Sequence, residues 1–184
     1  MKKCLVALMA LAAVAPLAAG TLADFSEGKG RTFTVAAERF FEAPPEVAVV
    51  DDAAAPNGKA LLAKIGARKE TMKFGRYDVV VNLTAEEAAK IREISFDAKV
   101  SDRKAFGWTM LYFRKTARSS DCIKQPIPNG KSFKIGEWQH FSFPVSGFKP
   151  EGKGIEMADA RQFVITFFVY SPLEISVANI AYAE

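Results

Sequence analysis

The clearest periodic signal along the chain is alternation of apolar and polar positions. In Ile94-Ser95-Phe96-Asp97-Ala98-Lys99-Val100, Ile, Phe, Ala and Val fall on one side while Ser, Asp and Lys fall on the other. That period of two predicts a strand with one buried and one wet face. Segments 77–82, 106–115, 139–143, 162–170 and 174–182 are equally rich in aromatic and β-branched residues and predict further strands. Segments 32–37, 46–50 and 59–65 read the same way. Turn signals separate them: Pro44-Pro45, Pro56-Asn57-Gly58, Pro128-Asn129-Gly130 and Pro150-Glu151-Gly152. One helix is signalled. Thr84-Ala85-Glu86-Glu87 has the spacing of a capping box, in which residues 84 and 87 satisfy each other's amides. Ala88, Ala89, Lys90 and Ile91 continue it until the strand pattern at Ile94 ends it. Many strands with one short helix predict an all-β chain, an antiparallel two-sheet β-sandwich rather than alternating βαβ units.

Three strands depart from the one-wet-face rule. In 106–115, Phe106, Trp108, Met110, Tyr112 and Arg114 alternate with Thr109, Leu111, Phe113 and Lys115. Trp138, His140 and Ser142 alternate with Gln139, Phe141 and Phe143. Val164, Thr166, Phe168 and Tyr170 alternate with Phe163, Ile165, Phe167 and Val169. Both sides are apolar in each, although a two-layer sandwich buries only one. One set is greasier, and the other mixes rings with hydrogen-bonding groups. The second set is a candidate ligand surface, provided that these strands share a sheet face. The opposing readings are that Trp138 is structural at a strand start and that Trp108 belongs to the core.

The N-terminus changes what counts as the working chain. Met1-Lys2-Lys3 precedes an apolar run from Leu5 to Ala19, followed by small residues. This is the pattern of a secretory signal peptide over residues 1–23, with cleavage after Ala23 or alternatively after Gly20. A retained membrane anchor is the second reading, but the run is short of the roughly 20 apolar residues a span needs. Cleavage predicts a secreted, periplasmic or cell-surface protein with no stable membrane anchor. The remainder, 24–184, reads as one domain without repeats or low-complexity tracts. Its 15 Phe and 2 Trp are ample for a core. Loss of Lys2 and Lys3 lowers the formal net charge from +4 to +2. With no Lys/Arg cluster on one face, nucleic acid is not an expected partner. Cys4 leaves with the leader, so Cys122 has no internal disulfide partner. It is a buried thiol or a site of intermolecular pairing.

The order of motifs resembles a known family. Val35-Ala36-Ala37-Glu38-Arg39-Phe40, Val49-Val50-Asp51-Asp52, Asn82-Leu83-Thr84 and the strand at Ile94 come first. Gly136-Glu137-Trp138-Gln139 then leads into Phe141-Ser142-Phe143, and Ile175-Ser176-Val177-Ala178-Asn179-Ile180 ends the chain. This resembles the galactose-binding-like jelly-roll domains, which include carbohydrate-binding modules of secreted bacterial glycoside hydrolases. The resemblance implies a two-sheet jelly roll that binds a polysaccharide or oligosaccharide, often with a structural calcium ion. Glu38 matches an early acidic metal ligand of the family. The acid usual before the terminal Asn-Ile pair is replaced by Ala178. Calcium takes about six to eight oxygens, so one lost carboxylate weakens such a site without forbidding it.

For a sugar-binding surface, the expected residues are Trp108, Tyr112, Arg114, Trp138, His140 and Tyr170: rings for pyranose faces and polar groups for hydroxyls. His140 is the only histidine, which excludes a histidine metal cluster, and no Gly-x-Ser-x-Gly elbow accompanies it. Asp97, Glu137 and Asp159 are the acids to weigh for glycosidic cleavage, though their contexts are ordinary and solvated. The segment 116–135, with Arg118, Asp121, Cys122 and Pro126, is either the rim of a glycan site or a surface excursion with a small hairpin of its own. A non-catalytic carbohydrate-binding domain is therefore expected. The alternatives are a structural or adhesive protein that contacts other cell-surface proteins, and a jelly-roll lyase or hydrolase.

Overall fold

A computed structural model describes residues 19–36, 39–102, 104–116, 119–127 and 133–184. Twelve strands and one α-helix run in the order β1 (Ala19–Ala23), β2 (Thr32–Ala36), β3 (Glu46–Asp51), β4 (Lys59–Ile65), β5 (Gly75–Asn82), α1 (Ala85–Lys90), β6 (Glu93–Val100), β7 (Phe106–Arg114), β8 (Cys122–Ile127), β9 (Gln139–Pro144), β10 (Lys149–Glu151), β11 (Gln162–Val169) and β12 (Leu173–Ala183). They form two antiparallel sheets. The first has the order β3-β4-β12-β6-β9, with β1 added beside β12. The second has the order β10-β8-β7-β11-β5-β2. The expected sandwich with one short helix is the observed fold.

Each sheet turns one set of alternate residues into a shared interior. The first contributes Leu61, Phe96, Val100, Ile175 and Val177; the second contributes Tyr77, Leu111, Phe113, Phe163, Ile165 and Phe167, all within one buried cluster. At roughly 25 cal/mol per Å² of apolar surface removed from water, these rings and branched chains supply the main drive for folding. The helix sits where its cap is expected. The Thr84 side chain accepts from the Glu87 amide, and the Glu87 side chain accepts from the Thr84 amide. Ala88 is its buried contact.

Three strands lie outside the expected set. β1 falls within the expected leader, yet Ala19–Ala23 pairs with the end of β12. Leu22 is only 4% exposed and joins the core, and a Cβ on Gly20 would collide with the Tyr182 ring. β8 lies in the segment expected as a long connection or a small hairpin of its own, and instead joins the main sheet. It pairs with β7 from Cys122 to Ile127. Pro126, which has no amide to donate, lies beyond the three residues of β8 that β10 covers. β10 is too short to show a period. Among the described residues no helix is long and apolar enough to cross a membrane.

Candidate functional site

The outer face of the β10–β2 sheet is built by register. β11 lies between β7 and β5, and its outward residues align in rows with both neighbours: Gln162 with Arg114 and Asn82, Val164 with Tyr112 and Val80, Thr166 with Met110 and Asp78, Phe168 with Trp108 and Arg76. β8 extends these rows with Cys122, Lys124 and Pro126, and β2 adds Phe33 and Val35. Phe106 was expected on this face but is buried with the core. A register irregularity between Phe168 and Val169 turns it over. Gly107 sits at that point, where a Cβ would lie 2.7 Å from the Phe168 carbonyl oxygen.

The face has an aromatic end and a polar end. At the aromatic end Trp108 stacks on Phe168, with centroids 4.2 Å apart and planes 13° from parallel. Phe74 meets both edge-on, and Tyr170 lies 6.3 Å from Trp108. Tyr170 is 43% exposed. Its carbonyl accepts from Arg68 Nε at 2.7 Å, and a groove beside it is lined by Ala67, Glu70 and Pro172. The middle is a second apolar cluster of Val80, Tyr112, Cys122 and Val164, flanked by Phe33 and Met110. In the same rows Asp78 accepts from Arg76 at 3.0 and 2.7 Å and from Thr166 Oγ1 at 2.7 Å. At the polar end the Arg114 guanidinium lies 4.0 Å over the Tyr112 ring. Lys124 is paired with Glu151, whose carboxylate also accepts from Cys122 Sγ at 3.4 Å. Burial, reinforced by Glu151, pushes the Cys122 thiol up from its ordinary value. Cys122 is thus the buried thiol of the two readings.

Four of the six expected surface residues, Trp108, Tyr112, Arg114 and Tyr170, share this face. Trp138 and His140 do not, because β9 pairs with β6 in the other sheet. There Trp138 packs against a small cluster of Ala55, Ala60 and Ala178. Its Nε1–H donates to Asp52 at 3.2 Å, and Lys99 lies 5.0 Å over its ring. Lys99 also donates to Asp52, and this bond, the largest influence, holds the Asp52 carboxyl below its ordinary value. His140 Nδ1 is 3.1 Å from Asp97, whose other oxygen accepts from Asn179 at 3.2 Å. Trp138 supports the 52–58 turn, so the six expected residues do not form one platform; of the four that share a sheet face, Tyr112 and Arg114 are buried rather than exposed. Met110, Val164 and Phe168 lie on the same face, and the two residues missed from sequence are Phe33 and Val80. Met110, Val164 and Phe168 are marked by their two-sided strands, whereas Phe33 and Val80 carry no signal beyond lying on a strand.

The remaining acids are occupied. Asp159 pairs with Lys115 at 2.7 Å, which holds its carboxyl below the ordinary value, the opposite of what a general acid needs. Glu38 lies outside the described residues, as does Arg118. Ala178 is fully buried beside Ala55 and Ala60 and has no side-chain oxygen to offer a cation. Among them no group of three or more His, Cys, Asp or Glu is placed to hold a metal.

No family model matches the chain, and no curated protein matches it. Solved structures do. The family 11 carbohydrate-binding module from Clostridium thermocellum, in complex with a β-1,3-1,4-mixed-linked tetrasaccharide, matches with a TM-score of 0.64 at 16% identity, over 92% of this chain and 97% of that one. A family 30 carbohydrate-binding module matches with a TM-score of 0.53 at 12% identity, over 83% and 88%. An exo-β-agarase matches with a TM-score of 0.58 at 10% identity, over 89% of this chain and 25% of the enzyme. At these identities the likeness is one of fold, the antiparallel two-sheet β-sandwich that this chain shares with those structures.

Proposed function

We propose that this protein is a non-catalytic carbohydrate-binding domain, exported by an N-terminal leader that ends ahead of β1, and that it holds a polysaccharide or oligosaccharide on the outer face of the β10–β2 sheet. The observation that carries the reading is a sheet apolar on both faces with only one face packed on the core. Trp108, Phe168, Met110, Tyr112, Val164, Val80 and Phe33 lie on the side away from the main interior. Phe33, Trp108 and Met110 are half-buried over a buried layer of Val80, Tyr112, Val164 and Phe168, and with Arg76 beside them they suit pyranose C–H faces and their hydroxyls. The fold shared with modules solved in sugar complexes supports the same reading.

Affinity gel electrophoresis tests it, with mixed-linked β-glucan, xylan, galactan and polygalacturonate in separate gels. At least one polymer is expected to retard the intact chain. Trp108→Ala is expected to abolish retardation, and Trp138→Ala, on the opposite sheet, to leave it. No retardation by any polymer, or loss through Trp138 alone, would overturn the proposal. Release of reducing ends would overturn its non-catalytic part.

A further inference from the structure

The polar end of the same face holds two unfinished hydrogen-bonding groups. Arg114 is 8% exposed, and its Nε is buried without a partner. Directly across the β7–β11 pair, Gln162 Oε1 is likewise buried without a partner, while its amide nitrogen donates to Asn82 at 3.2 Å. One orphan is a donor and the other an acceptor. Native proteins rarely leave buried polar groups in this state, and a bound molecule can complete them.

The charge pattern specifies that molecule further. Of the cations on this face, Arg76 is neutralised by Asp78 and Lys124 by Glu151. Arg114 has no carboxylate within ion-pair distance among the described residues; it rests on the Tyr112 ring beside Cys122, with the Glu151 carboxylate, already paired with Lys124, as the negative charge acting on it. A planar guanidinium matches a carboxylate with two parallel hydrogen bonds, a stronger partner than an aromatic face. Lys149, opposite Lys124 on the sheet edge, adds positive charge.

Building on the proposed glycan site, we infer that its ligand is an acidic glycan containing uronic acid units. The uronate carboxylate pairs with Arg114, and a neighbouring hydroxyl donates to Gln162 Oε1. Arg114 leaves the Tyr112 ring to meet the carboxylate, which exposes both Nε and the ring face. One movement thus completes the ion pair and opens the stacking surface.

The test compares polygalacturonate with its carboxyl-reduced form, which keeps the backbone and removes the charge. Isothermal titration at moderate salt is expected to show binding about tenfold tighter for the acid polymer. Arg114→Met, which keeps the apolar stem over Tyr112, is expected to bring the two polymers within about twofold, and Gln162→Met to weaken binding to both. Thermal melting checks that each variant is folded. Should Arg114→Met fail to fold, the ratio measured on the intact chain still decides. Equal or tighter binding of the reduced polymer, or of the neutral glucan, overturns the inference and leaves the glycan site standing. Equal binding of a sulfated galactan shows general charge attraction and overturns the carboxylate assignment. Binding of no polymer at all overturns both readings.

Discussion

Glu87→Ala removes a side chain that ties three parts of the fold together. The Glu87 carboxylate accepts from both terminal nitrogens of Arg31 at 2.8 and 2.7 Å, and from the amide and hydroxyl of Thr84 at 2.9 and 3.1 Å. Arg31 also donates from Nε to the Leu22 carbonyl at 3.0 Å, so the same fork reaches β1. α1 has only six residues and would not persist without its cap and its packing. Loss of the reciprocal cap costs about 1 kcal/mol. Loss of a bidentate pair whose two side chains are mostly covered costs about 1 kcal/mol more. A total near 2 kcal/mol corresponds to a fall in melting temperature of about 4–8 °C for a chain of this size. Glu86→Ala is the control, since its pair with Lys90 is exposed on both sides and is worth about 0.3–0.5 kcal/mol. Melting followed by circular dichroism at neutral pH decides. If Glu87→Ala melts together with Glu86→Ala, the cap and fork do not stabilise this fold as described.

Three further outcomes follow from the same structure. A chain starting at Asp24 lacks β1 and Leu22, a buried side chain whose loss alone costs about 3 kcal/mol. It should melt well below a chain starting at Ala19, and equal melting would show that β1 is dispensable. Glu87 and Asp52 both titrate below their ordinary values of 4.5 and 3.8. For Glu87, burial opposes ionisation but Arg31 and Thr84 outweigh it; for Asp52, the Lys99 hydrogen bond dominates. Groups with lowered folded values stabilise fully above their unfolded values and lose that contribution as pH falls through the folded ones. Stability should therefore fall below about pH 4.5, and less steeply in Glu87→Gln; identical acid profiles would contradict the pairing. Cys122, buried with its thiol pushed up by desolvation, should react slowly with a thiol reagent at pH 8 until denaturant is added; fast native labelling would contradict its placement.

Local patterns were legible in the chain and long-range pairings were not. The alternation at Ile94–Val100 marks its buried side, with Ile94, Phe96, Ala98 and Val100 fully buried, and Thr84–Glu87 marks the helix start. Two-sidedness in 106–115 and 162–170 marked a second apolar cluster on the other side of the sheet, because those strands are neighbours. The same signal around Trp138 pointed to a different sheet, since alternation reports which residues share a side of a strand and says nothing about which strand lies beside it. β1 was hidden because Ala-Gly-Thr-Leu-Ala has the small residues of a cleavage site as well as those of a short strand. β8 was hidden by Lys124, Gln125 and Pro126, which interrupt its apolar pattern.

The two tryptophans report on the central claim directly, because one lies on each outer face: Trp108 on β7 and Trp138 beside β9. In a proton–nitrogen correlation spectrum of the labelled protein, addition of a retarding oligosaccharide should shift the Trp108 indole signal with the amides of Tyr112 and Val164. The Trp138 indole, engaged with Asp52, should stay in place. A shift of Trp138 and the His140 strand, with Trp108 unmoved, would place the glycan on the other sheet and contradict the account.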